Sequence, residues 1–370
     1  MDFTPTEEQE AARDLAARIF GDLATHERLA AAGTGSDAEL WKALCAAGLP
    51  GAVEETGLLG LVLLLEEQGR RTAQVPLAAT CVYGILAVAR HGTEEQRARL
   101  LPGLRDGTTV VTGAFPGTGG VVAHEGRLGG AVEWVPWLRD ATHVLVADAE
   151  RGLWLVRTED AARIDPVELT APWSAGRLVL DGTAAERLGT GSGSGAGSGA
   201  GSGSGPGSGS GSDAVGPGVD AYTDVLVAAR VAFAGLQAGV CAGSLAKAVE
   251  YTSVREQFGR PLATHQAVQL RAADAYMDTE AIRVTAYEAA WRHDEGLDAA
   301  EAALTAAWWA SEAGKRVVHT GQHLHGGMGA DLDHPVHRHF LWGRQLDAYL
   351  GCGTELLAEL GDLLAKGDPS

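Results

Sequence analysis

Arg255, Gln257 and Phe258 fall close together in the stretch YTSVREQFGRPLATHQAVQ, and His265 and Gln266 follow shortly after. A guanidinium fork forms paired hydrogen bonds to phosphate oxygens that a lysine cannot reproduce. Arg255 is thus suited to phosphate, beside an amide and an aromatic ring. An ordinary corner between helices with a solvated arginine would use the same residues. Further on, His325-Gly326-Gly327-Met328-Gly329 permits close backbone approach by a ligand or a neighbour, because glycine has no Cβ. Six histidines lie between His319 and His339, and His319 and His323 share a helical face. With no H-E-x-x-H and no cysteine pair, this is not a zinc pattern, and no metal is expected. Histidines at the end of a bundle are usually satisfied by backbone or solvent.

These residues need helices to position them. Gly259 and Pro261 are expected to stop one helix, and Thr264 to cap the next near His265. Helical periodicity predicts segments at Asp220–Phe258, His265–Gly296, Ala299–His323 and His339–Lys366. They form an antiparallel four-helix bundle over 219–370. At the other end, Thr4, Pro5 and Glu7 read as N-cap, N1 and the closing residue of a capping box. Helices follow at Asp37–Ala47, Leu58–Arg70, Pro76–His91 and Thr93–Leu104, giving an N-terminal helical domain over 1–108. From 109 to 188 short β-rich runs (VVTGAF, RLGGAVEWVP, THVLVAD, GLWLVR, GRLVLDG) predict a small β-domain of five or six strands. Residues 191–212 contain only Gly, Ser, Ala and one Pro, so 189–218 is expected to be a disordered, flexible linker. The fold class is α with a β middle domain.

The string VREQFGRPLATHQAVQLRAADAYMD resembles the flavin-binding segment of the acyl-CoA dehydrogenase family, with its R-x-x-F-G and H-Q-A elements. The opening DFTPTEEQ is similar to the start of that family's N-terminal helical domain. Gln322 with Gly326-Gly327 resembles its Q-x-x-G-G-x-G turn, shifted by one so that His323 occupies the glutamine slot. The resemblance implies FAD as cofactor. It also implies Arg255, Gln257, Phe258, His265, Gln266, His323, Gly326 and Gly327 as cofactor contacts, made largely across a subunit interface. An acyl-CoA substrate and electron-transfer flavoprotein as acceptor are implied in the same way.

Departures from the family pattern carry as much information. The family reaction removes a proton next to a thioester while a hydride leaves the following carbon for flavin. Its base is a carboxylate whose pKa is raised in an apolar site. One base position precedes a G-T pair, and Leu350-Gly351-Cys352-Gly353-Thr354 carries cysteine there. The other precedes an arginine in the first bundle helix, where Ala229 stands before Arg230. No catalytic residue is assigned, although a length difference leaves Asp347 or Glu355 as stand-ins. The T-E-P-x-A-G-S-D-like loop is replaced by Thr112–Gly119, and the W-I-T-N/S-like strand by Trp134-Val135-Pro136-Trp137. Trp134 would stack on the flavin or sit in the β core. The chain therefore resembles the base-lacking subunit of a heteromeric acyl-CoA dehydrogenase, with a related subunit as partner. The alternative is a degenerate relative, a scaffold or acyl-CoA-binding module without redox chemistry.

Composition narrows the partners. A formal charge of −19 over 370 residues opposes nucleic acid or an anionic membrane as the main partner. Four scattered cysteines and an acidic N-terminus with no apolar run fit a reduced, cytoplasmic protein. Val225–Ala246 carries only Arg230 as a charge, with Gly235, Gly239 and Gly243 as a small-residue stripe. A buried helix accounts for it more simply than a membrane span. The same glycines would admit a bulky acyl group such as a steroid, or serve helix packing.

Overall fold

The computed structural model describes residues 2–115, 120–189 and 220–367; the Gly/Ser tract 191–212 lies outside them. Helices at both ends flank a β-rich middle, as the sequence predicts. The first part comprises α1 (Glu7–Leu23), α2 (His26–Ala32), α3 (Ala38–Ala46), α4 (Leu49–Arg71), α5 (Leu77–Ala79), α6 (Ala87–His91) and α7 (Glu94–Asp106). A π-helical turn, Thr80–Leu86, joins α5 to α6. The capping box of α1 is Thr6 with Gln9, not Thr4 with Glu7. Thr4 instead donates its N–H to Asp2 Oδ1, which keeps it out of the helix. Inside α4, Gly57 breaks the helix at φ 70°, and the Asp294 carboxylate accepts from the N–H groups of Leu58 and Leu59. Leu58 is therefore the start of the second half of a longer helix.

In the middle come β1 (Val111–Ala114), β2 (Val121–His124), β3 (Arg127–Val135), β4 (His143–Ala147), β5 (Leu153–Arg157), β6 (Arg163–Pro166), β7 (Gly176–Ala184) and β8 (Glu186–Arg187). They form two four-stranded sheets, ordered β1-β4-β5-β8 and β2-β3-β7-β6. Leu128, Val144, Val146, Val156 and Leu178 share one buried cluster. Sequence reading misses β2, β6 and β8, which are too short for alternation to register.

The last part holds α8 (Ala221–Val254), the two-residue strands β9 (Glu256–Gln257) and β10 (Arg260–Pro261), α9 (Gln266–Asp294), α10 (Ala300–Leu324), α11 (Val336–Leu346) and α12 (Gly353–Gly367). The expected final helix is thus two, broken between Leu346 and Gly353, where Gly351 takes φ 110°.

Helix α8 is long and apolar enough to cross a membrane, yet its apolar 18-residue stretch is 94% buried within the protein. Its glycine stripe faces α4. A Cβ on Gly239 would lie 2.1 Å from the Glu66 carbonyl oxygen, and one on Gly243 would lie 2.4 Å from that of Arg70. Gly69 of α4 reciprocates, at 2.3 Å from the Leu236 carbonyl oxygen. On another side, Gly314 and Gly321 of α10 make room for Gln237 and Ser244. The space at Gly235 and Gly239 is therefore taken by a helix and is not open to an acyl group. Gly239→Ala is expected to cost about 2 kcal/mol or more through overpacking. Gly361→Ala, on an open face of α12, should stabilise by up to about 1 kcal/mol through helix propensity. Denaturant unfolding of the two variants checks the contrast.

Candidate functional site

The corner after α8 is built differently from the sequence expectation. Arg255 is the C-cap residue and is already extended, at φ −74° and ψ 120°. Gly259 is left-handed, but as one of two turn residues in the β9–β10 hairpin, with Phe258 at φ 58° and Gly259 at φ 76°. Two positive φ values in succession match the right-handed twist of a tight hairpin. An aromatic residue in that region is uncommon and costs energy, a feature that clusters at functional sites. Thr264 does not cap α9. A short 3-10 turn, Leu262–Thr264, directs its hydroxyl to the Pro261 carbonyl at 2.7 Å, and His265 takes the cap position without a side-chain bond.

The outcome is a projecting tip. Arg255, Gln257 and Gln266 are exposed, and Phe258 is 92% exposed. The His265 ring meets Phe258 edge-on at 6.2 Å, and its Nδ1 lies 3.2 Å from Arg260 Nη2. His265 Nε2 is enclosed with no hydrogen-bond partner. Arg255 forms no ion pair among the described residues.

The glycine turn is held close to this end of α8. His325 donates from Nδ1 to the Gly321 carbonyl at 2.7 Å and stacks on Tyr251 at 4.8 Å, one turn before Arg255. Gly326 takes φ 62°, and a Cβ at Gly326 or Gly327 would meet nothing within 4 Å. Their backbone therefore faces open space. Gln322 is engaged within its own turn, 3.3 Å from the Gly329 carbonyl. His323 is exposed and lines a groove of about 1020 Å³ between α9 and α10, together with Arg271, Lys315, Arg316 and His319. Among the described residues no three His, Cys, Asp or Glu side chains converge as metal ligands. His339 faces the Arg70 carbonyl, and His319 meets Phe340 edge-on.

At the base positions, Ala229 is fully buried in α8. Arg230, 7% exposed, forms a bidentate pair with Glu359 of α12 at 2.9 and 2.6 Å. Sequence reasoning missed Glu359, since nothing local marks a partner so distant in the chain. Cys352 is half-buried, and its contacts are with Glu355 and Thr354 at the start of α12. Glu355 is exposed, while Asp347 accepts from Ser311 Oγ at 2.6 Å and pairs with Arg344 at 2.8 Å. Tyr349 and Leu350 turn inward here, and Asp347 is buried as well.

Tyr349 shares a hydroxyl–hydroxyl hydrogen bond of 3.0 Å with Tyr83, and its ring packs on Phe233 and Trp134. Tyr83 stacks on Phe115, Phe115 on Tyr222, and the Arg151 guanidinium lies 4.5 Å over the Tyr222 ring. Burial pushes both the Tyr83 and Tyr349 hydroxyls well above the usual phenol range. Of the loop expected at the flavin, Thr112–Phe115 is described and 116–119 lies outside the described residues. Trp134 is partly buried against the main core, and its ring meets Tyr349.

Acyl-CoA dehydrogenase FadE27 of Mycobacterium tuberculosis is 33% identical over 399 residues, covering 99% of this chain and 99% of that protein. The chain belongs to the acyl-CoA dehydrogenase family. Residues 6–108 match that family's N-terminal domain and residues 216–358 its C-terminal domain. A variant of the Tcur3481-Tcur3483 steroid ACAD superposes with TM-score 0.86 at 40% identity, over 98% of this chain and 99% of that one. The ChsE4-ChsE5 complex from M. tuberculosis gives TM-score 0.86 at 30% identity, over 100% of each chain.

Acyl-CoA dehydrogenases are FAD-binding flavoproteins. The corner fits one end of such a dinucleotide. Arg255 offers an unpaired cation for phosphate, Phe258 an exposed ring face, His265 Nε2 an unused polar atom, and Gly326-Gly327 a bare backbone. Arg255→Ala is expected to lower FAD occupancy of the purified protein while leaving the helical circular dichroism intact. Unchanged flavin absorbance would remove Arg255 from the site.

Proposed function

We propose that this chain is the subunit of a heteromeric acyl-CoA dehydrogenase that completes the FAD site while a related partner subunit supplies the catalytic base. The observation that carries this reading is the interior at the base positions. Ala229, Leu350 and two protonated tyrosine hydroxyls occupy it, the buried Asp347 is engaged by Ser311 and Arg344, and Arg230 is already matched by Glu359. A phenol held protonated across the neutral range cannot take a proton from the carbon beside a thioester.

Bound FAD supplies the hydride acceptor for α,β-dehydrogenation. Arg255 holds its phosphate oxygens, with Gln257, Phe258, His265, Gln266, His323, Gly326 and Gly327 completing the contacts. The packed rings of Tyr83, Phe115, Tyr222 and Tyr349 keep water out of the adjoining interior. The proton passes to a carboxylate of the partner. Leu270, Tyr276, Met277 and Val284 of α9 are about half exposed or more, an apolar face that the partner subunit covers. The similarity to the steroid ACAD supports a steroid-like acyl-CoA as substrate. Since α4 fills the glycine stripe, the bulky group is housed in the partner. Electron-transfer flavoprotein is the proposed electron acceptor.

The test expresses the chain alone and together with a related subunit carrying its own glutamate. Turnover is measured with an artificial acceptor and short, medium and steroid-like acyl-CoAs. The chain alone should give little or no turnover. The pair should turn over steroid-like substrate, and Arg255→Ala in this chain should reduce that rate. Robust turnover by the isolated chain, abolished by Glu355→Gln or Asp347→Asn, would falsify the reading. A flavin-free, inactive pair would favour the non-redox scaffold.

A further inference from the structure

A cavity of about 200 Å³ lies between the end of α1, the start of α2, the end of α4, the last third of α8 and the start of α11. Arg71, Lys247 and Arg338 line it, with His26 and His339 beside them. Among the described residues, none of the three cations forms an ion pair. Arg70, at the same wall, is matched by Glu66 and Glu67. In a chain of formal charge −19, a cavity lined by three unmatched cations runs against the overall balance.

Arg338 is the decisive group. Its side chain enters from the first turn of α11 and is 8% exposed. One terminal nitrogen donates to the Leu29 carbonyl at 3.2 Å and the other to Gln74 Oε1, so both partners are neutral. Its Nε has no partner. Burying a guanidinium among neutral acceptors is costly unless an opposite charge comes close. Burial pushes Arg338 down to about 10. Lys247 is lowered too, by burial first and then by the nearby Arg71. Both shifts run downward, the sign of a buried positive charge, with Glu250 opposing the shift at Lys247.

We propose that this cavity binds a phosphate-class oxyanion, held by Arg71 and Lys247 at the rim and Arg338 within. The volume admits a phosphate group and excludes a whole nucleotide. The anion is therefore free phosphate or the terminal phosphate of a larger molecule whose remainder stays outside. None of the corner residues lines the cavity, so the site is separate from the proposed FAD contacts. Bound there, the anion would tie α4 to α8 and α11.

Sodium phosphate is titrated into the full-length protein against sodium chloride at matched ionic strength, following the melting temperature and the ³¹P line width. Phosphate should raise the melting temperature to a plateau and broaden the resonance, because a ligand of the native state alone stabilises it. The Arg71→Gln, Lys247→Gln double variant keeps the interior bonds of Arg338 and should melt normally in chloride. Its apparent phosphate affinity should fall about tenfold or more, as expected on losing charge-assisted bonds. Sharpening of the ³¹P line by added coenzyme A would identify an esterified phosphate as occupant, and no sharpening would identify the free anion. No phosphate-specific response in the unaltered protein, or an equal response in the double variant, overturns the proposal.

Discussion

The contact on which the rest of the structure depends is backbone against backbone, where α8 crosses α4. At Gly239 and Gly243 the carbonyls of Glu66 and Arg70 occupy the space where side chains would stand. Dispersion falls off steeply with distance, so such closeness gains many contacts at once and tolerates no added atom. With α10 fitted against a second side through Gly314 and Gly321, α8 has few freedoms left. Everything attached to it inherits that fixity. Its first turn holds Asp224 between His91 and His293, its middle holds Arg230 to α12, and its last turn carries Tyr251 under His325.

The two functional regions use this rigid rod in opposite ways. At its end the chain leaves the helix abruptly and exposes a guanidinium, a ring and a bare glycine backbone. At its middle the side chains turn inward and find partners there, Arg230 pairing with Glu359 through both terminal nitrogens while its Nε stays unpartnered, and Tyr349 bonding to Tyr83. One region is unfinished and the other closed. That asymmetry is what a division of labour between two subunits requires.

Periodicity made the helices legible, and the turn from 3.6-residue to two-residue repeats marked the β middle. The exposed corner could also be found from Arg255, Phe258 and the Gly326-Gly327 pair. What failed was local punctuation. Gly259 and Thr264 read as helix signals, but a hairpin two residues wide separates the helices and uses both differently. Glycine spacing in α8 showed that something comes close without showing what, because a small residue serves a helix and a ligand alike. The Arg230–Glu359 pair was out of reach, since its partners lie on separate helices and neither carries a local signature.

The paired phenols of Tyr83 and Tyr349 have a spectroscopic consequence. An exposed phenol ionises near pH 10, with a rise in near-ultraviolet absorbance. The two buried hydroxyls keep their protons past that point, whereas in an unfolded chain they would release them. Above about pH 10 each therefore draws stability from the folded state, and its ionisation waits on opening of the interior. The alkaline absorbance of this protein would divide into a prompt part and a delayed part. The delayed part would time the parting of the β middle and the helices at the ring stack.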